Sequence, residues 1–160
     1  MKQYKVYLDV CCLNRPFDSW QQERVRFEGE AILSILERVR TIEWQLQSSE
    51  AVEAELERLP NPEKLDSIFQ LLKLATTIVV LDQQIDVRSQ TLEKLGFRLY
   101  DSFHIACAEV SQVDVLLTTD DRLLKRAKRY KDDIQVQVSN PVTWLMNVLQ
   151  TEGEQEHDTD

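Results

Sequence analysis

Hydrophobic positions along the chain fall into two kinds of run. Five of these runs are short and contain mainly β-branched or aromatic residues, which favour strands of four to eight residues. The predicted strands are Tyr4–Val10, Glu43–Gln47, Thr77–Leu81, Val113–Thr118 and Ile134–Val138. We therefore expect a sheet of about five strands.

Between these runs, apolar residues recur at the spacing of an α-helix. The predicted helices are Gln22–Arg40, Glu50–Leu59, Pro62–Ala75, Gln84–Leu95, Asp101–Ser111, Asp121–Tyr130 and Val142–Leu149. The alternation of strand and helix predicts an α/β fold with a mostly parallel sheet covered by helices. Ligands of such sheets bind beyond the carboxyl ends of the strands, so residues that follow strands are the first candidates for a site.

The charge of the chain is unevenly distributed. The chain has 160 residues, about the size of one domain, and its net charge is −9. Residues 151–160 hold five acids and no Lys or Arg, so the rest of the chain carries −4. We expect one domain over residues 1–150 and a disordered acidic tail over 151–160. The negative charge opposes binding to phosphates, but less for the domain than for the whole chain.

The cysteines indicate a reducing compartment. Cys11, Cys12 and Cys107 are odd in number and two of them are adjacent, so we expect three free, largely buried thiols. The first residues lead directly into a strand, without the apolar segment of a signal peptide, and no uninterrupted run of about 18 apolar residues occurs. A cytoplasmic protein without a membrane span is expected.

Several classes of active site lack the residues that they need. Gly29, Gly96 and Gly153 are too few and too scattered for a phosphate-binding loop or a dinucleotide fingerprint. His104 and His157 are likewise too few for a histidine-rich zinc site, and they leave a Ser-His-Asp triad without support. The carboxylates are the remaining candidates.

Three aspartates stand at the ends of predicted strands. Asp9 closes the first strand, and Asp120 and Asp121 follow the fourth. Each could project into the crevice at the carboxyl ends of the strands, or it could serve only to cap a turn or a helix. If one member of the Asp120–Asp121 pair is a cap, the other is free to face the crevice.

Two further acids lie on predicted helices. Asp101 begins the helix DSFHIACAEV, where it could act as a helix cap or point towards the crevice. Glu53 and Glu55 belong to an acidic helix that could equally be an exposed, solvated face. Taken together, acids from such distant positions favour a site for a hard divalent cation, since Mg²⁺ and Mn²⁺ prefer oxygen ligands.

Four segments of the chain resemble the motifs of a PIN domain, and the likeness extends from about Val6 to Leu149. YLDVCCLN resembles the first strand and its Asp, SSEAVEAEL the Ser-to-Glu segment, YDSFHIACAEV the helix with the central Asp, and LLTTDDRLL the final Thr-x-Asp. The resemblance implies a three-layer, Rossmann-like PIN fold. It also implies a ribonuclease that depends on Mg²⁺ or Mn²⁺, as in the toxins of toxin–antitoxin pairs.

The resemblance assigns roles to particular residues. Asp9, Glu55, Asp101 and Asp120 match the family's acids, so they are the expected catalytic residues. Asp9, Asp101 and Asp120 would bind the metal, with Asp121 as an auxiliary ligand. Glu53 remains an alternative to Glu55. The expected partners are an RNA substrate, an antitoxin protein and, in a homodimer, a second copy of the chain.

Basic residues near these acids are candidates for contacts with RNA. Arg15 lies in the loop after Asp9, and Arg122, Lys125 and Arg126 belong to the basic helix after Asp120. A charged helix can also be merely a solvated surface.

Two other protein classes fit the sequence poorly, and one non-catalytic function fits it better. A phosphoaspartyl phosphatase would need an acid where Cys11 stands, and a response-regulator receiver would need an acid pair after the first strand. A stronger alternative is a PIN-like module that binds RNA or protein and has a metal site too weak for catalysis.

Overall fold

The structure, a computed structural model, describes residues 2–158, with side chains described as far as residue 154. Within this range five parallel strands form one sheet in the order β3-β2-β1-β4-β5. The strands are β1 (Lys5–Leu8), β2 (Gln45–Ser49), β3 (Ala75–Val79), β4 (Val115–Leu117) and β5 (Val138–Ser139). The predicted α/β fold is confirmed, and the sheet is parallel throughout.

Eight α-helices flank the sheet within the described range. They are α1 (Val10–Asn14), α2 (Glu23–Arg40), α3 (Glu50–Leu56), α4 (Pro62–Leu72), α5 (Gln83–Lys94), α6 (Leu99–Val110), α7 (Asp121–Arg129) and α8 (Pro141–Asp158). A short 3₁₀ helix, Arg15–Phe17, follows α1. Both α1 and this 3₁₀ helix are absent from the predicted elements, because segments of five and three residues are too short to show helical periodicity.

The central strand β1 is buried on both faces. Val6, Tyr7 and Leu8 are at most 1% exposed, and β1 pairs with β2 on one side and β4 on the other. A parallel sheet with helices on both faces produces such continuous apolar strands. Asp9, which follows β1, is therefore attached to the fully buried end of this strand.

Two predicted boundaries differ clearly from the structure. β5 is only Val138–Ser139, whereas Ile134 and Val136 lie in the core without joining the sheet. α8 continues to Asp158 through the acidic segment predicted to be disordered, and residues 159 and 160 lie outside the described residues. Glu and Gln in that segment are good helix formers, so a helix that begins at Pro141 can propagate through it.

The chain topology brings several segments to the carboxyl edge of the sheet. α1, α3 and α7 begin close after β1, β2 and β4 respectively, so their first residues lie at that edge. α6 precedes β4 and returns across the sheet, so its first turn also starts at the carboxyl edge. No described helix is both long enough and apolar enough to cross a membrane.

Candidate active site

Asp9 and Asp120 follow the two central neighbouring strands. β1 and β4 pair in register up to Leu8 and Leu117, and the Asp9 amide continues this pairing with a 3.2 Å hydrogen bond to the Leu117 carbonyl. Asp120 comes three residues later, and its amide donates to Thr118 Oγ1 at 3.1 Å. The carboxyl ends of β1 and β4 therefore place these two acids at one edge of the sheet.

Asp9 is a helix cap and a buried acid at the same time. Its Oδ1 accepts a 2.9 Å hydrogen bond from the Cys12 amide, and the residue is 3% exposed. Burial raises the pKa of Asp9, while the neighbouring Thr118 hydroxyl acts in the opposite direction. The cap fixes the orientation of the carboxylate, but it engages one oxygen with a neutral amide and supplies no cation.

Asp120 and Asp121 have separate surroundings. Asp120 caps α7, because its Oδ1 accepts from the amides of Arg122 at 2.9 Å and Leu123 at 3.4 Å. Asp121 accepts from Arg24 through both oxygens, each at 2.8 Å. The predicted role of Asp121 as an auxiliary metal ligand thus conflicts with its geometry, since Arg24 already occupies both oxygens.

Asp101 lies in the first turn of α6 rather than at its start, and no described residue makes a hydrogen bond to its side chain. Burial raises the pKa of Asp101 to about 6, and the charges of Asp9, Asp120 and Glu55 act in the same direction. His104 partly offsets them. These contributions place Asp101 within electrostatic reach of the three other predicted catalytic acids.

Glu55 belongs to the same group of acids through His104. Glu55 Oε1 accepts a 2.8 Å hydrogen bond from His104 Nε2. Glu53, the alternative considered from the sequence, is two residues away on α3 and so points about 200° around the helix from Glu55. The structure therefore brings Glu55 to this site.

A buried hydrogen-bond chain supports Glu55. From His104, which is 1% exposed, Nδ1 lies 2.8 Å from the Tyr7 hydroxyl, which lies 2.6 Å from Ser49 Oγ. Since a carboxylate only accepts, His104 Nε2 donates to Glu55, which leaves Nδ1 to face the Tyr7 hydroxyl. Ser49 can donate to Tyr7 while accepting from the amides of Ala51 and Val52.

His104 and Tyr7 have no predicted role, although their spacing from the predicted acids could have indicated one. His104 follows Asp101 by three residues, which places the two on the same side of a helix. Tyr7 precedes Asp9 by two residues, which places the two on the same face of an extended segment.

Cys11 lies within electrostatic reach of all four predicted catalytic acids. Burial raises the pKa of the Cys11 thiol well above its ordinary value, and the charges of Asp9, Asp120, Glu55 and Asp101 raise it further. The thiol is therefore protonated and unreactive. Cys11 is half-buried, Cys12 and Cys107 are buried, and all three are free, as predicted.

The predicted metal ligands have the right chemistry for a hard cation, but they are not grouped closely enough to form a metal site. No three His, Cys, Asp or Glu side chains in the described part of the chain are grouped as a metal site. Asp9, Asp101 and Asp120 nevertheless supply the oxygen donors that Mg²⁺ and Mn²⁺ prefer, and a cation would relieve the mutual effect of their charges. That these residues share one ion remains a prediction.

The predicted RNA-binding cations divide into two groups. Arg15 is engaged inside the fold, where it contacts Asp18 and Glu28, each at 2.9 Å. This geometry does not turn Arg15 towards a substrate. Arg122 and Lys125 are exposed on α7. With Arg126 and Arg129 they line a groove of about 270 Å³.

Comparison with known proteins assigns the family. The PIN domain model matches residues 6–129, more than half of the chain, and the chain therefore belongs to the PIN-domain family. The resemblance seen in the sequence is confirmed. Among curated proteins no match is found.

Two solved structures share the fold at low sequence identity. VapBC-1 from nontypeable Haemophilus influenzae is 18% identical, with a TM-score of 0.53, over 86% of this chain and 98% of that one. PAE2754 from Pyrobaculum aerophilum is 14% identical, with a TM-score of 0.53, over 92% of this chain and 96% of that one. At these identities the likeness concerns the fold.

Proposed function

We propose that the protein is a Mg²⁺- or Mn²⁺-dependent endoribonuclease that hydrolyses phosphodiester bonds of RNA. The observation that supports this most is the half-buried Asp101, whose pKa is raised to about 6 by burial, with the charges of Asp9, Asp120 and Glu55 acting in the same direction. Partly buried acids that form no ion pair with a Lys or Arg are costly unless a ligand compensates them. A divalent cation bound to RNA phosphate is such a ligand.

In this proposal the protein contributes fixed ligands. Asp9, Asp101 and Asp120 would hold the metal, which when bound lowers the pKa of a water and stabilises charge on the phosphate. Asp9 and Asp120 are oriented by the helix amides that they cap. Glu55, held by His104 through Oε1, would use its other oxygen to accept a hydrogen bond from the attacking water.

The expected biological setting is also part of this proposal. VapBC-1, a structural relative, supports a role as the toxin of a toxin–antitoxin pair. An antitoxin protein would then be a partner, and the site would act in the cytoplasm. A homodimer would be compatible with the same site.

The absence of a preassembled metal site among the described residues favours a second candidate function. In that case the chain is a PIN-like module that binds RNA or protein and holds metal too weakly for catalysis. The two functions differ in whether RNA is cleaved.

The deciding experiment is a cleavage assay on generic single-stranded RNA, with the purified chain free of any antitoxin. We expect cleavage with Mn²⁺ or Mg²⁺, none in EDTA, and a loss of at least about a hundredfold in Asp101→Asn. Asp121→Asn is the matched control, because Asp121 pairs with Arg24 outside the acid group, and it should retain activity. Metal-dependent binding without cleavage would favour the non-catalytic module.

A further inference from the structure

A cavity of about 320 Å³ opens beside Asp101. Asp101 is on its wall together with three arginines, Arg98, Arg122 and Arg126. Arg98 comes just before α6 and Arg122 and Arg126 are on α7, so two elements that both reach the carboxyl edge of the sheet form the cavity. A concentration of three guanidinium groups beside a catalytic acid needs an explanation.

These arginines form no ion pair with Asp101. No described Arg or Lys nitrogen lies within 4.0 Å of the Asp101 carboxylate, although the cavity contains both charges. Elsewhere in the chain, several arginines form ion pairs with neighbouring carboxylates. Such pairs are Arg15–Glu28 at 2.9 Å, Arg24–Asp121 at 2.8 Å and Arg88–Glu109 at 2.8 Å. The cavity thus holds an acid and three arginines that are not paired with it.

One arginine is held in place by the backbone. Arg126 Nη1 donates to the Leu95 carbonyl at 3.1 Å, and the guanidinium lies against Gly96. Gly96 has φ +100°, and a Cβ at this position would collide with Arg126. The absent side chain therefore makes room for the guanidinium, whose remaining N–H groups have no hydrogen-bond acceptor among the described residues.

We propose that this cavity is a phosphate subsite, in which Arg98, Arg122 and Arg126 bind one phosphodiester group of a single-stranded RNA. The inference rests on the proposed ribonuclease function and adds where the strand is held. Guanidinium groups match phosphate oxygens in planar, two-bond contacts, which makes arginine suited to such a site. Asp101, on the wall of the same cavity, would then face the neighbouring linkage.

The surface beyond the cavity supports a strand rather than an isolated anion. Arg122 and Arg126 line both the cavity and the adjoining groove, which continues with Lys125 and Arg129. A polyanion could follow these cations from Asp101 along α7. A free phosphate would use the cavity alone.

The test measures binding without cleavage. Fluorescence anisotropy in EDTA and low salt would compare a short single-stranded RNA with a series of RNAs in which one phosphate at a time is a methylphosphonate. The proteins are wild type, Arg126→Gln, Arg126→Lys and the control Lys128→Gln. Lys128 is exposed on α7 but lines a different groove, so this control removes the same charge outside the cavity.

We expect Arg126→Gln to weaken binding about tenfold and to reduce the slope of log K against log salt by about 0.7. Arg126→Lys should fall between wild type and Arg126→Gln, because an ammonium keeps the charge without the planar fork. One methylphosphonate position should weaken binding to wild type but have no further effect on Arg126→Gln. Lys128→Gln should respond to the methylphosphonate series as wild type does.

Three results would overturn the proposal. These are the absence of RNA binding by wild type at low salt, equal losses in Arg126→Gln and Lys128→Gln, or identical methylphosphonate profiles in wild type and Arg126→Gln. Equal losses would mean that α7 attracts RNA only by its overall charge. Because no metal or cleavage is involved, the subsite can fail while the nuclease stands, and the nuclease can fail while the subsite stands.

Discussion

Glu28 and the acids at the carboxyl edge of the sheet are compensated in opposite ways. Glu28 on α2 is 1% exposed, yet it accepts from Arg15 at 2.9 Å, Arg24 at 3.3 Å and Asn140 at 2.7 Å. Asp9 is 3% exposed, and its carboxylate accepts from the Cys12 amide. Glu28 has two cations at hydrogen-bonding distance, whereas no described Lys or Arg forms an ion pair with Asp9 or Asp101.

This difference in ion pairing indicates that Glu28 is a structural carboxylate, whereas Asp9 and Asp101 are available to bind a ligand. Glu28 joins α2 to the segment after α1 and to the start of α8, so its charge is satisfied by contacts that hold the fold together. Asp9 and Asp120 at the carboxyl edge instead accept hydrogen bonds from neutral backbone amides, and their charges disfavour the ionised form of Asp101. Arg24 stands between the two groups and also binds Asp121, which keeps that acid in the structural network.

The largest effect is expected at Glu28. Glu28→Gln preserves the shape but removes the buried anion that Arg15 and Arg24 share, so that Arg15 keeps only Asp18 and Arg24 only Asp121. This should cost about 3–4 kcal/mol of unfolding free energy, the lower part of the range for breaking a buried ion pair. Urea denaturation measures this, with Glu30→Gln, an exposed position on the same helix, as the control. Similar losses in both variants would show that Glu28 is no more structural than a surface acid.

Asp101 should show the reverse behaviour in the absence of metal. Its pKa is raised to about 6, so the folded state resists ionisation of Asp101 and loses stability as the pH rises from about 4 to above 6. Asp101→Asn avoids this loss and should be more stable than wild type by roughly 3 kcal/mol at pH 7 in EDTA. The gain should disappear below about pH 4. Unfolding curves that show a pH-independent difference, or a loss, would contradict this account.

A smaller effect is expected in the chain that supports Glu55. Tyr7→Phe removes the hydroxyl between His104 and Ser49 and should cost about 1–3 kcal/mol, because buried polar atoms lose a partner. Tyr4→Phe is the control, since the Tyr4 hydroxyl makes no hydrogen bond to a described residue and Tyr4 is only half-buried. Chemical denaturation should separate the two. Equal effects would mean that the hydrogen-bond chain contributes no stability of its own.

The smallest effect is expected at Asp121. Its side chain is 60% exposed and its partner Arg24 is 52% exposed, so solvent screens the pair. Asp121→Asn should melt close to wild type and should respond to Mn²⁺ as wild type does. A weakened response to Mn²⁺ would place Asp121 among the ligands after all.

The sequence predicted the fold better than it predicted the partners of each acid. Strand and helix patterns depend on local periodicity, which the chain displays clearly outside α1 and β5. By contrast, the pairing of Asp121 with Arg24 joins residues 97 apart, and that of Glu55 with His104 joins residues 49 apart. Such contacts depend on how helices pack, and a cap such as Asp120 looks the same in sequence as a free acid.

The central claim is that Asp101 binds metal, and the response of thermal stability to Mn²⁺ tests it most directly. An ion that binds only the folded wild type should add about 2.7 kcal/mol when its concentration is a hundred times its dissociation constant. Asp101→Asn should gain clearly less over the same titration, while Asp121→Asn should match wild type. Equal stabilisation of wild type and Asp101→Asn by Mn²⁺ would show that Asp101 is not a ligand and would contradict the proposed catalytic site.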